Sequence, residues 1–279
     1  VAAAVGERLR ARGASVRQLS GASAAESLDL CRGAVADGVD AVVALGGDGM
    51  VHLALQAVVE TATPLGIVPA GTGNDLAASL GLPVDNPLAA ADVLLTASPR
   101  GIDAVRAAGK WFGCVLGAGF DSKVNERANR MRWPRGGSRY NLAIAAELRV
   151  FKPLPFVVTV DDDRIETDAM LVAVGNARSY GAGMQVTPDA RLDDGAVDVM
   201  ILGPVSKLEF IKTFPKVFKG THVTHPAVTI RRGRVVTVES PGITAYADGE
   251  PFGPLPLTCE CVAGAVTVLA PPAGEDLTP

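Results

Sequence analysis

The sequence predicts an α/β N-terminal domain built on a parallel sheet, followed by an antiparallel β domain. Three observations predict it. The chain has 279 residues, more than one average domain. In its first third, apolar runs of strand length lead into glycine loops and then into helical patterns, the order of a parallel sheet with covering helices. From about Gly101, short alternating runs separated by turn residues take over, as in an antiparallel sandwich or barrel. The Ser98-Pro99-Arg100-Gly101 tetrapeptide reads as the turn between the two, giving domains over 1–99 and 100–279.

The elements follow in order. Residues 1–12 read as the middle of an amphipathic helix with no cap and no strand before it, so a segment N-terminal to residue 1 is expected. Gly13 stands where a C-cap glycine belongs. A short strand is expected over 15–19 and a helix over 24–36. The apolar run 40–45 is a strand that enters Gly46-Gly47-Asp48-Gly49, and 51–60 is helical again. A second apolar strand, 64–68, enters Pro69-Ala70-Gly71-Thr72-Gly73-Asn74-Asp75, and a helix runs from there to Leu80. In the second part, strands are expected over 110–116, 156–160, 170–174, 197–202, 227–230, 234–238 and 265–269, with helices over 140–151 and 206–218. The last nine residues are proline-rich.

Composition removes several classes. A net charge of −4 argues against nucleic acid as the main partner, because phosphate neutralisation needs clustered Lys and Arg. No run of about 18 uncharged apolar residues occurs, so no transmembrane helix is expected, and no basic-then-apolar opening suggests a secretory signal. Cys31, Cys114, Cys259 and Cys261 are too few and scattered for a disulfide framework, and a reducing cytoplasm is the expectation. Cys259 and Cys261 alternate within a strand-like run, so both thiols point to one face. With no second Cys or His pair to complete a metal site, they read as core.

Two loops carry chemistry. Consecutive glycines in Gly46-Gly47-Asp48-Gly49 let main-chain N–H groups approach a phosphate, and the helix N-terminus that follows favours negative charge. Asp48 alone would repel phosphate, so it makes sense with Mg²⁺ or a positioned donor in between. The alternative is a tight turn with a capping Asp. Gly71-Thr72-Gly73-Asn74-Asp75 also follows a strand and opens a helix. Ligands of parallel sheets bind at the carboxyl ends of the strands, and both loops lie there. No Walker A motif and no complete G-x-G-x-x-G occurs.

In combination these blocks resemble the diacylglycerol kinase family, whose bacterial members include lipid kinases and which is related to sphingosine kinases. Gly117-Ala118-Gly119-Phe120-Asp121, Gly175-Asn176 with Gly181-Ala182-Gly183, the run 188–198, and Ala247-Asp248-Gly249-Glu250 extend the likeness to about Leu269. The resemblance implies a nucleotide domain like those of NAD kinase and diacylglycerol kinase, a C-terminal β-sandwich, and a catalytic site in the cleft between them. It implies ATP as co-substrate, Asp248 as general base supported by Glu250, and Mg²⁺ with Asp48 and Asp75. It also suggests a structural Mg²⁺ near Asp193 and Asp194. An Asp in a turn between short strands can accept the proton of an incoming hydroxyl, although Asp-Gly is equally a hairpin dipeptide.

The chain departs from the family pattern at Met50, where Thr is usual, and at His52-Leu53-Ala54, where a Glu is common. The family's first strand and its Asn-Pro-x-Ser-Gly nucleotide loop are also missing. His52 reads as a structural or solvated residue that could also meet nucleotide. Two segments bear on membranes: 127–139, arginine-rich with Met131 and Trp133, and 207–219, where Phe210, Phe214 and Phe218 recur every fourth residue between Lys212, Lys216 and Lys219. The first reads as membrane contact and the second as a core-packed helix. The overall expectation is a cytoplasmic lipid kinase of phospholipid biosynthesis, peripheral at the inner membrane surface, with a diacylglycerol-like substrate. A homodimer stays open. NAD kinase, which shares the first loop, and a non-catalytic relative are the alternatives.

Overall fold

The computed structural model describes residues 1–131, 133, 137–181 and 183–272. α1 (Ala2–Ala11) ends as expected at Gly13, which has φ +92° and lets the N–H groups of Gly13 and Ala14 reach the carbonyls of Arg10 and Leu9. α2 (Ala24–Ala36) starts where Ser23 accepts the N–H of Glu26, while Glu26 accepts that of Ala22. The expected strand over 15–19 is absent: this stretch is irregular. Arg10 occupies the carbonyl of Val16, Arg17 pairs with Asp37, and Val16 packs beside α1 rather than in a ladder.

β1 (Val42–Gly46) leads into α3 (Asp48–Val58), and β2 (Leu65–Pro69) into α4 (Asp75–Ser79). β1 and β2 pair in parallel. α5 (Pro87–Leu94), not foreseen in the sequence, is capped by the Asn86 side chain with Pro87 in its first turn. The anticipated turn at Pro99-Arg100-Gly101 is instead the start of β3 (Pro99–Ala107). Proline is tolerated as the first residue of a strand, where no ladder N–H is missed.

β4 (Lys110–Phe112) and β5 (Val115–Gly119) come next, then α6 (Phe120–Arg130), α7 (Gly137–Val150), β6 (Leu154–Val160), β7 (Asp163–Ala169), β8 (Leu171–Gly175) and β9 (Val197–Leu202). α8 (Lys207–Thr213) is shorter than expected and continues as a 3₁₀ turn, Phe214–Lys219. Pro215 lacks the N–H a further α-turn would need. A second 3₁₀ turn, Thr221–Thr224, precedes β10 (Val228–Gly233), β11 (Val235–Glu239), β12 (Thr244–Ala247), β13 (Glu250–Pro254) and β14 (Leu257–Leu269).

The strands form a mixed eight-stranded sheet, β1-β2-β14-β11-β6-β7 with β3 and β4 attached through β14, and a six-stranded sheet, β10-β9-β8-β5-β12-β13. The parallel part is therefore β1 and β2, with Val268 of β14 parallel to Leu65. β14 begins in the sandwich against β11 and ends beside β2, so the last strand ties the antiparallel part to the α/β part. The sandwich core lies between the two sheets, with Phe112, Phe156, Val158 and Val236 facing Leu116, Val172, Val174 and Val199. Cys259 and Cys261 share its face of β14, and burial pushes both thiols up to about 12. Among the described residues no helix is long and apolar enough to cross a membrane.

Candidate active site

The two glycine loops touch. A Cβ on Gly47 would lie 3.0 Å from the Cα of Gly71, and one on Gly73 would collide with the Asp48 carboxylate. Side chains are thus excluded where the loops meet, and the N–H of Ala70 donates to the Gly46 carbonyl at 2.8 Å. Asn74 has φ +59° and folds its amide back on Gly71, accepting its N–H at 3.0 Å and donating to its carbonyl at 3.1 Å. Asn tolerates this left-handed conformation better than most residues.

Asp48 braces this arrangement. Its Oδ2 accepts the N–H of Asn74 at 2.9 Å and its Oδ1 that of Asp75 at 2.7 Å, both at the start of α4. Charge-assisted bonds to amides at a helix N-terminus hold a carboxylate well. Asp75, buried, accepts the N–H of Gly183 at 3.1 Å. It thereby links the second loop to the segment that follows β8. Residue 182, between Gly181 and Gly183, lies outside the described residues.

Asp248 sits at the tip of the β12–β13 hairpin. Asp248 and Gly249 have φ +50° and +84°, the two positive values a type I′ turn requires. Its carboxylate turns inward and accepts the N–H of Gly113 at 2.9 Å and that of Cys114 at 3.0 Å. The break between β4 and β5 supplies these two donors. His52, expected to be structural or solvated, stands with Nδ1 3.5 Å from Asp248 Oδ2 and its ring edge-on to Phe252. Glu250 lies over the first loop, its Oε1 3.3 Å from where a Gly49 Cβ would be.

The two glycine loops, His52, Cys114 and the Asp248 hairpin line one cavity of about 970 Å³, and Gly46 and Asn74 are not on its wall. Its polar end holds Gly47, Asp48, Gly49, Gly71, Thr72, Gly73, Asp75, His52, Asp248 and Glu250. Its other end is apolar, walled by Phe120, Val124, Leu171, Met200, Phe210 and Phe214. The Phe210–Phe214–Phe218 series faces inward in part, with Phe210 buried and stacked on Phe214 at 5.6 Å. Residues 132 and 134–136 of the arginine-rich segment lie outside the described residues, while Trp133 is exposed.

Sequence reading missed one pair in this cavity. Tyr180 donates its hydroxyl to Asp121 Oδ2 at 3.2 Å where the polar and apolar ends meet. Burial pushes the Asp121 carboxyl up to about 6 against an ordinary 3.8, and burial followed by the Asp121 charge pushes the Tyr180 hydroxyl well above its usual range. The available signal was Gly117, where any side chain would collide with Asp121.

The electrostatics are one-sided. Asp48, Asp75, Asp121, Glu209, Asp248 and Glu250 line the cavity, and no Lys or Arg does among the described residues. The Cys114 thiol registers this field, raised by burial first and then by Asp248, Asp75 and Asp48. No group of three or more His, Cys, Asp or Glu side chains is arranged to hold a metal by itself among the described residues. Asp193 and Asp194 do not line the cavity, and each faces an arginine, Arg191 at 3.6 Å and Arg232 respectively.

Comparison with known proteins adds the family. Residues 1–107 match the model of the diacylglycerol kinase catalytic domain, and 114–270 that of the YegS C-terminal NAD kinase beta sandwich-like domain. The diacylglycerol kinase of Mycobacterium tuberculosis is 45% identical over 273 residues, covering 96% of this chain and 88% of that protein. A diacylglycerol kinase structure from Bacillus anthracis superimposes with a TM-score of 0.74 at 20% identity, covering 97% of this chain and 92% of that one. The NAD kinase of Archaeoglobus fulgidus, solved with ATP, shares the fold at a TM-score of 0.52 and 12% identity, covering 97% and 90%.

Proposed function

The chain belongs to the diacylglycerol kinase family of lipid kinases, and from that premise we propose that it transfers the γ-phosphoryl group of Mg-ATP to the hydroxyl of a diacylglycerol-like lipid, with Asp248 as general base. One observation carries this reading: a single cavity joins a glycine-walled, carboxylate-rich end to an apolar chamber walled by phenylalanines. A nucleotide phosphate suits the first end, and acyl chains suit the second.

ATP fits the residues present. Where a side chain is excluded between Gly47 and Gly71, main-chain N–H groups can approach phosphate oxygens directly. Gly47, Gly49, Gly71, Thr72 and Gly73 form that cradle, Gly46 supports it by accepting the N–H of Ala70, and Asp48 with Asn74 keeps the two loops in register. In this reading residues 1–99 chiefly hold the nucleotide and 100–279 the lipid, with β14 joining them.

Mg²⁺ follows from charge. A polyanionic nucleotide beside the four carboxylates of the polar end, with no Lys or Arg at the wall among the described residues, needs a cation to offset repulsion. Mg²⁺ carried by ATP typically takes only one or two carboxylates besides phosphates and water, and Asp75 and Glu250 suit that role. Bound there, it would neutralise charge that develops on the transferred group.

The remaining work is positional. Gly113 and Cys114 fix the orientation of Asp248, leaving lone pairs for the incoming hydroxyl proton. As the lipid oxygen attacks the γ-phosphorus, its proton passes to Asp248, the bond from phosphorus to the bridging oxygen breaks, and ADP leaves. The apolar chamber holds the acyl chains and excludes water from the attack site. Four unpaired cysteines suit a reducing cytoplasm, and a lipid substrate puts the protein at the inner membrane surface.

The test is transfer from labelled ATP, with and without Mg²⁺, to diacylglycerol, monoacylglycerol, sphingosine and NAD, beside Asp248→Asn. Transfer to a glycerolipid that needs Mg²⁺ and disappears in the variant supports the reading. Transfer to NAD alone would replace it with the sister activity.

A further inference from the structure

Asp121 stands in the first turn of α6, between two walls of the apolar chamber: Phe120 precedes it and Val124 follows three residues later. Its carboxylate folds back over Gly117 of β5, where any side chain would collide with it. Gly117 and Val115 share a face of that strand, and Val115 lines the cavity, so the carboxylate rests on the cavity side. The Asp248 hairpin follows the same strand. β12 sets Tyr246 opposite Gly117, and the Asp248 N–H donates to the Val115 carbonyl at 3.3 Å.

One stretch of chain therefore places both carboxylates. Asp248 is held at Cys114 and Asp121 at Gly117, three residues on, or at most about 10 Å of chain. A glycerol unit with a hydrogen bond of about 2.8 Å at either end covers a similar span.

Asp121 also has unused capacity. Its Oδ1 accepts the N–H of Ser122 at 2.8 Å, and its Oδ2 accepts the Tyr180 hydroxyl at 3.2 Å. A carboxylate has about four acceptor sites, so two remain. The Tyr180 proton is taken up by Asp121, which leaves the phenol oxygen with lone pairs alone. Between them the two side chains can accept further hydrogen bonds and have none left to donate. The charge itself has no structural partner, since no cation acts on Asp121 among the described residues. An uncharged acceptor would serve Ser122 and Tyr180 without the desolvation that a sheltered carboxylate suffers. Such a corner suits a ligand that brings a donor. A diacylglycerol brings its reacting hydroxyl and ester oxygens, which only accept. A second free hydroxyl supplies what Asp121 lacks.

We propose that Asp121, oriented by Tyr180, is the specificity-determining acceptor of the lipid site. It takes a hydrogen bond from a second hydroxyl on the glycerol unit, so that monoacylglycerol-type diols are preferred to lipids with one hydroxyl. Asp121 touches substrate, Tyr180 is a positioning residue, and the placing of the reacting hydroxyl at Asp248 rests on the lipid kinase reading.

Monooctanoylglycerol acylated on a terminal carbon, and the analogue that lacks only the middle hydroxyl, test it. Both are assayed at about pH 8, where Asp121 is ionised. The wild type is expected to favour the diol about tenfold to a hundredfold in kcat/KM, as one hydrogen bond to a charged group does. Asp121→Asn should shrink that preference by about tenfold or more. Tyr180→Phe leaves every charge in place and should shrink it less, chiefly through KM for the diol. Calorimetric binding of ATP reports that each variant folds. A wild type that uses both lipids alike overturns the proposal, as does an Asp121→Asn variant that keeps the wild-type ratio, the mark of a merely structural role. Calorimetric binding of the same two lipids separates this subsite from the kinase reading. A preference for the diol in binding, with no phosphoryl transfer, keeps the Asp121 site and removes the kinase. Equal binding with equal transfer does the reverse.

Discussion

Asp48 and Asp75, one from each glycine loop, are joined side chain to main chain: Asp48 Oδ1 accepts the N–H of Asp75 at 2.7 Å. With Oδ2 on the N–H of Asn74, the carboxylate closes the first loop onto the start of α4. It is a brace between loops as well as a charge at the nucleotide site. Asp48→Ala leaves two amides without their acceptor, at about 1–3 kcal/mol for each that stays dry. The melting temperature should fall and ATP affinity with it. Asp48→Asn keeps one acceptor and should lie between wild type and Ala in thermal denaturation. If Asp48 were only a cation ligand, Asp48→Asn would melt with the wild type.

The contact between Gly47 and Gly71 makes a steric prediction. A methyl on Gly71 has no room beside the Gly47 main chain, and backbone yields less readily than the end of a side chain. Gly71→Ala should push the loops apart, costing roughly 1–3 kcal/mol as overpacking does. KM for ATP should rise well before KM for lipid. Equal changes in both constants would indicate general destabilisation and remove the loop contact as the cause.

Asp248→Asn keeps the side-chain size and one acceptor toward Gly113 and Cys114 but takes no proton. Loss of a general base typically costs about 10²–10⁴-fold in rate. The variant should bind ATP like the wild type in calorimetry and show its loss in kcat. His52→Gln removes the imidazole beside Asp248 Oδ2 and should give a smaller fall in kcat with a changed pH profile. A His52→Gln profile that overlays the wild type would mean that the ring serves packing against Phe252 alone.

How far the sequence foretold this site depends on the range of the interactions. The strand–glycine loop–helix units at Gly46 and Gly71 are local, so their elements stand close to where apolar runs and helix starts put them. The return of β14 to β2 joins residues far apart in the chain, and no local pattern announces it. Likewise, nothing near His52 in the sequence says that it meets Asp248, 196 residues away. Pro99-Arg100-Gly101 misled because proline and glycine mark turns by composition, whereas a strand edge accommodates them equally. The Asp121–Tyr180 pair was only half legible. Gly117 hints at a tight neighbour, but that neighbour and its tyrosine stand 59 residues apart, after strands whose antiparallel pairing sends the chain out at opposite ends, and no local pattern joins them.

That pair gives the last prediction, in pH. Burial raises the Asp121 carboxyl from 3.8 to about 6 in the folded protein. Below the unfolded value both states hold the proton, and the folded state suffers no charge penalty. As pH rises through about 4 to 6 the unfolded chain releases its proton first, so stability declines and then levels off above the folded value. A shift of about two units corresponds to ~3 kcal/mol at most. Asp121→Asn does not titrate there, so its urea-derived stability relative to wild type should climb by up to that amount between about pH 4 and about pH 7. Any constant offset reports the hydrogen bonds that Asn makes differently. Tyr180→Phe removes a donor that favours the charged carboxylate, which should leave the onset of the decline unchanged and extend it to higher pH. Parallel stability curves for wild type and Asp121→Asn across this window would show that the carboxyl ionises as freely in the cavity as in the unfolded chain.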